Sequence, residues 1–155
     1  MSVLIVAIGL GLFVSLIFAE TFGLAAGGMV VPGYIAVYLG QPMRILATLG
    51  IAFLTLLTIK FLSNHILIYG RRRFVLVILV AFVYVFLYRL LVMNVSIPGM
   101  LSVDPVGFII PGLIALWMER QGVLDTLSSL FIASVIVRLT IIVLRGGELF
   151  DMALW

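Results

Sequence analysis

The stretch Gly28-Met29-Val30-Val31-Pro32-Gly33-Tyr34-Ile35-Ala36 recurs 79 positions later as Gly107-Phe108-Ile109-Ile110-Pro111-Gly112-Leu113-Ile114-Ala115. Proline removes a backbone donor and clashes with the preceding turn, and glycine has poor helix propensity, so the pair interrupts an apolar helix in both places. In lipid every backbone N–H and C=O needs an internal partner, and an interrupted segment is tolerated only where it is buried in protein or lines a cavity. The repeat therefore restricts the chain to folds that enclose two equivalent broken segments. It also makes Gly28, Pro32, Gly33, Gly107, Pro111 and Gly112 the first candidate site residues.

The surrounding solvent follows from composition. With 65% hydrophobic and 10% charged residues, the chain is far more apolar than a soluble domain, at about 45–50% apolar and about 25% charged, and it reads as an all-α integral membrane protein. Four apolar runs, 3–19, 45–62, 74–93 and 124–144, approach or reach the length of about 20 residues that a bilayer core requires. The first has no Lys or Arg before it and no small-x-small cleavage site after it, so it reads as a retained span rather than a signal peptide. Two shorter pieces, 27–39 and 106–118, carry the Pro-Gly pairs in their middles. A shift of 79 carries 44–62 onto 123–141 and 2–20 onto 81–99. This predicts one membrane domain, 1–155, of two tandem homologous halves, about 1–70 and 74–155, each reading long helix, broken segment, long helix. Many transporter folds are built this way. If the broken segments re-enter, there are four full spans, with both termini on the side of Arg71, Arg72 and Arg73; if they cross, there are six and the halves are inverted. Re-entry gathers Lys60, Arg71, Arg72, Arg73 and Arg145 on the cytoplasmic side and leaves Arg44, Arg89 and Arg120 nearer the other face, whereas crossing sends Arg145 to the other. Charge counting leans to re-entry and leaves both open.

The chain has no cysteine, which excludes disulfides, thiolate chemistry and Cys-ligated metal. His65, the single histidine, has no second His or carboxylate cluster near it in sequence, and a metal site is not expected. Neither a Gly-x-Ser-x-Gly elbow nor a phosphate-binding Gly-x-x-x-x-Gly-Lys-Ser/Thr loop is present, so the chain reads as non-enzymatic on its own and without a cofactor. The net charge of +3 is concentrated at Arg71, Arg72 and Arg73, which read as a topology anchor and not as a nucleic-acid surface. The same cluster is a candidate docking surface for an acidic partner or membrane lipid.

Four charges border or enter the apolar runs: Glu20, Arg44, Arg89 and Arg138. An ionisable group within a span is costly unless it snorkels, pairs or meets water, which makes these candidates for intramembrane pairing or a translocation path. Glu20 and Arg44 are the pair considered first, although each also reads as an interfacial helix end. Asp104, Glu119 and Asp125 flank the second broken segment as counter-ions, and Asp104-Pro105 reads equally as a helix N-cap followed by its first-turn proline. Gly9, Gly11, Ser15 and Ala19 give the first helix a thin face, suited to packing within the monomer or in a homo-oligomer.

Taken in order, Ser15 to Glu20, Gly27 to Tyr34, Gln41-Pro42, Tyr69 to Phe74, Gly107 to Ala115 and Gln121-Gly122 resemble the PgsC/CapC family of poly-gamma-glutamate capsule biosynthesis, over about residues 10–125. Residues 146–155 carry none of the pattern. The resemblance implies a small multi-pass subunit of the bacterial inner (cell) membrane. Its partners would be a PgsB/CapB-type ATP-dependent amide ligase, which activates the gamma-carboxyl of glutamate, and a PgsA/CapA-type membrane-anchored protein. A polyanionic product needs cationic side chains along any route through lipid, and Arg44, Arg89, Arg138 and the triple arginine are available for it. The alternative is an independent small secondary transporter, which the duplicated broken helices permit.

Overall fold

The computed structural model describes residues 3–65, 70–95 and 105–146, and these form six helices. They are α1 (Val3–Phe22), α2 (Val31–Tyr38), α3 (Pro42–His65), α4 (Arg71–Val95), α5 (Ile110–Gln121) and α6 (Val123–Leu144). The four long helices each have the length and apolarity to cross a membrane, so the expected all-α membrane architecture stands. At 1.5 Å per residue, α2 and α5 reach only about 12 and 18 Å. The order long, short, long occurs twice.

The Pro-Gly pairs do not sit in the middles of helices, as the pattern implied. Pro32 and Pro111 fall in the first turns of α2 and α5, where the missing N–H would have been unpaired in any case and the fixed φ suits the helix. The irregular part precedes the proline, at 23–30 in the first half. The helix start read at Asp104-Pro105 is likewise displaced: Pro105 lies in the connection, α5 begins at Ile110, and Asp104 is outside the described residues.

Packing fixes the direction of each element. Ser15 on α1 donates to the carbonyl of Gly28 (3.4 Å), Gly33 lies against Ala7 and Ile8, and Ala36 and Val37 share a buried cluster with Ala7, against which Tyr38 and Val3 pack. The segment 23–38 thus returns along the whole of α1 to its starting end, and α3 sets out from there after a three-residue turn closed by Gln41 N–H to Tyr38 O at 2.8 Å. With α1 and α3 both crossing in the same sense, loop plus α2 is a crossing in two pieces, extended and then helical. The second half repeats this upside down. Gly112 on α5 meets Ile78 and Ala81 near the start of α4, and α6 ends beside the start of α1, where Val137 and Ile141 join Ala7. The chain directions therefore correspond to the crossing arrangement with inverted halves, and Arg145 lies at the opposite end from Arg71.

The internal correspondence is also finer than one shift of 79. That offset holds for the short helices, where Val31 and Ile35 match Ile110 and Ile114. In the first helices the buried rows are Ala7, Gly11, Ser15 and Val77, Ala81, Val85, an offset of 70. In the third helices Thr48, Ile51, Ala52, Thr55, Leu56 and Ile59 match Thr126, Ser129, Leu130, Ala133, Ser134 and Val137, an offset of 78. The shift of 2–20 onto 81–99 is corrected accordingly; the connection before the second short helix is longer, and it absorbs the difference.

The halves interlock. α2 packs against α1 of its own half and α6 of the other, and α5 packs against α4 of its own half and α3 of the other, while α1 does not touch α3. Val31 and Ile35 of α2 and their counterparts Ile110 and Ile114 of α5 join one buried cluster. The small-residue face of α1 is used here inside the monomer: Gly11 and Ser15 are buried against α2 and its preceding loop, whereas Gly9 faces open space.

Candidate functional site

The two broken segments carry backbone groups that helices would otherwise have satisfied, and polar side chains supply partners, Ser15 from the same half and others from the opposite half. In the first loop Ala25 is gripped twice by Gln121 at the end of α5. Its N–H donates to Gln121 Oε1 at 3.0 Å, and its carbonyl accepts from Gln121 Nε2 at 2.6 Å. Ser129 Oγ, whose single proton has its shortest acceptor in Asp125 O at 2.6 Å, also lies 3.2 Å from the same carbonyl, and Gln121 Nε2 reaches Thr126 Oγ1 at 3.1 Å. A carboxamide presents one acceptor and two donors, which is the set this bidentate contact requires. In the second loop the Val106 N–H donates to Thr48 Oγ1 at 2.8 Å, and Thr48 is the counterpart of Thr126. Both threonine hydroxyls donate back along their own helices, to Arg44 O and Gly122 O.

Glycine permits the first loop to turn where it does. Gly27 and Gly28 have φ of +72° and +123°, backbone that side chains rarely adopt, and Gly28 is wedged against Val31, Leu113 and Trp117. The centre between the broken segments is closed, because Val31, Ile35 and Ile114 are fully buried.

The predicted charged residues fall at two opposite ends. Arg44, Arg89 and Arg138 share the end where α3 starts and α4 and α6 finish. Arg44 lies 5.7 Å from the centre of the Tyr38 ring, Arg89 stacks 4.3 Å over Phe108, and the Arg138 guanidinium lies next to Gly40. Stacking on aromatic faces offsets part of the cost of a guanidinium in low dielectric. Glu20 is exposed at the far end of α1, so the structure does not bring it to Arg44, because a whole helix separates the end of α1 from the start of α3.

At that far end the triple arginine divides. Arg71 and Arg72 are exposed, whereas Arg73 turns inward and makes a bidentate ion pair with Glu119, through Nε to Oε2 at 3.2 Å and through Nη2 to Oε1. Glu119 is thus a counter-ion as the sequence implies, and its partner is an arginine of the cluster read as a docking surface. Asp125 lies in the first turn of α6, where a carboxylate suits the helix dipole. His65 contacts the Phe61 carbonyl at 3.2 Å and the Phe61 ring, a local helix-end role.

A family model described as Capsule biosynthesis CapC matches residues 10–127. The chain belongs to the CapC family. It is 36% identical over 138 residues to the PGA biosynthesis protein CapC of Bacillus subtilis (strain 168), covering 86% of this chain and 89% of that protein. It is 35% identical over 136 residues to the capsule biosynthesis protein CapC of Bacillus anthracis, with the same shares covered. No solved structure matches it.

The CapC match spans both broken segments and Gln121. In the sequence Gln121-Gly122 is part of a pattern with no task legible for the glutamine, because its target lies 96 residues away. The available signal was the recurrence of the amide itself, since Gln41-Pro42 and Gln121-Gly122 follow the two short apolar segments 80 positions apart.

The Arg73 to Glu119 pair of this CapC-family chain gives a test. Glu119 is 12% exposed and Arg73 34%, between the exposed limit of under about 1 kcal/mol and the buried limit of about 3–5 kcal/mol for losing one partner. Arg73→Gln is expected to lower thermal stability in detergent more than Arg71→Gln, and Arg73→Gln with Glu119→Gln to recover most of it. Equal melting of Arg71→Gln and Arg73→Gln would remove the pair from the account.

Proposed function

We propose that this chain is the non-catalytic membrane subunit of a poly-gamma-glutamate synthesis and export complex in the bacterial cell membrane. The observation that carries the reading is the family match, with two relatives named for PGA and capsule biosynthesis across most of their length. In this role it works with a PgsB/CapB-type ATP-dependent ligase and a PgsA/CapA-type anchored protein. The use of its polar side chains supports a platform: Gln121, Thr48, Thr126 and Ser129 are committed to holding backbone. Arg44, Arg89 and Arg138, gathered at one end, are the groups proposed to meet the polyanion. The closed centre favours a path at the side of the bundle or between copies.

Deleting the gene is expected to abolish polymer, and re-expression to restore it; affinity purification in mild detergent should recover the ligase. Arg138→Gln with the complex intact is expected to reduce export, and unchanged export would end the assignment of that arginine to the path. A second reading, a small secondary transporter, draws on the inverted halves with crossings broken mid-way. Solute uptake by the purified chain alone in vesicles, with polymer undisturbed by its deletion, would put that reading first.

A further inference from the structure

At the end of the bundle opposite Arg44 and Arg138, a cavity of about 290 Å³ opens between the start of α4 and the end of α5, lined by Gly70, Arg73, Phe74, Leu116, Glu119 and Arg120. Arg73 is neutralised there by Glu119, so Arg120, stacked 5.5 Å from the Trp117 ring centre, leaves the cavity one net positive charge. Arg71 and Arg72 belong to the same helical turn as Arg73 and line a separate hollow with Val75 and Leu76. These arginines occupy the first turn of a 25-residue helix with no acidic residue in that turn. Positive side chains at the positive end of a helix dipole repel it, and an anion placed there relieves both.

The ligand's other part is indicated by the surface that continues from the cavity. Phe74 is shared with a second hollow of about 380 Å³ whose lining, Phe74, Val75, Ile78, Leu79, Phe82 and Ile109, is wholly apolar. It runs for two turns along the outer face of α4, about 12 Å at 1.5 Å per residue, away from the arginines and into the length of a membrane-crossing helix. A small anion would use the cavity and leave the groove empty, and an acidic peptide would gain nothing from apolar side chains at membrane depth. We propose that this cavity and groove form a binding site for one anionic phospholipid, with its phosphate at Arg120, Arg71 and Arg72 and an acyl chain along Phe74 to Phe82. The Arg73 to Glu119 pair is the floor of the site, fixing α4 against α5 so that cavity and groove stay aligned. The site lies away from the arginines proposed for the polymer and does not depend on that reading.

Native mass spectrometry of the full chain, released from mild detergent with added phosphatidylglycerol or phosphatidylcholine, tests it. Phosphatidylglycerol is expected to remain as a single adduct where phosphatidylcholine does not. Arg120→Gln, and separately Arg71→Gln with Arg72→Gln, should weaken it by about fivefold for each arginine removed, the contribution of one basic side chain at an anionic surface. Leu79→Trp, which fills the groove at an exposed position, should reduce retention with no change of charge. Melting temperatures within the wild-type range show that the variants are folded. Equal retention of the two lipids, or loss of none by the arginine variants, overturns the site. Displacement by glycerol phosphate at the same concentration as the lipid, or displacement by short gamma-glutamyl oligomers, overturns the phospholipid as occupant.

Discussion

Replacing Gln121 by leucine is expected to leave the chain inserted but loosely folded, with a melting transition in detergent that falls by several degrees and polymer yield that falls with it. The substitution keeps the volume and removes the two-sided grip on Ala25. The carbonyl retains the Ser129 hydroxyl at 3.2 Å, but the N–H loses the acceptor described for it, and an amide left unsatisfied away from water costs about 1–3 kcal/mol. Adding Ser129→Ala to Gln121→Leu strips the carbonyl as well. Because the two side chains share one acceptor, the double variant is expected to lose more than the sum of the single losses, as groups in one hydrogen-bond network do. Additive losses would mean that water or a rearranged loop takes over and that the glutamine is not the latch. Thr48→Val tests the other half, where one bond to Val106 is at stake.

Gly33→Ala carries the second large effect. A Cβ there would lie 2.5 Å from the carbonyl oxygen of Ala7 and 2.9 Å from Cα of Ile8, so α1 and α2 must move apart along their contact. Overpacking of this kind costs about 1–3 kcal/mol when side chains can yield, and here the opposing atoms are backbone. The same change at Gly112 meets Ala81 Cβ and Ile78 Cα at 3.1 Å, a crowding that a shift of tenths of an ångström relieves. The expected result is a severe loss of folded protein for Gly33→Ala and a mild one for Gly112→Ala, read by thermal melting and by yield of monodisperse protein. Gly9→Ala, which meets nothing, should be neutral. Equal behaviour of Gly33→Ala and Gly112→Ala would contradict the close approach of α1 and α2.

Much of this was legible in the chain, for identifiable reasons. A run of apolar residues long enough for a bilayer is a strong signal, and the Pro-Gly repeat marked both short helices even though its prolines start helices rather than break them. What stayed hidden was mostly relational. A helix that is apolar on every side has no amphipathic stripe, so the buried row Ala7, Gly11, Ser15 was visible only as small residues, and its match to Val77, Ala81, Val85 was masked by unequal connections. The direction of the halves rested on charge counting, and the charges are nearly balanced: Arg44, Arg89, Arg138 and Arg145 at one end, Lys60, Arg71, Arg72, Arg73 and Arg120 at the other, where Glu20, Glu119 and Asp125 offset them. Glu20 and Arg44 are 24 positions apart and read as partners in the sequence, but a crossing segment lies between them. Arg73 and Glu119, 46 residues apart, could be paired only once α5 was known to return to the start of α4.

The interlocked halves set a timetable for biosynthesis. Ala25 leaves the ribosome 96 residues before the glutamine that secures it, and at about 5–20 residues per second that is an interval of roughly 5 to 20 seconds. For that time α1 and α2 lack α6, the second-half helix that packs against both, and an irregular stretch of backbone must be kept from lipid by the insertion machinery or by water. The first half is therefore a client to be held and released late, and a chain truncated before Gln121 should be a substrate for membrane quality control rather than a smaller working protein.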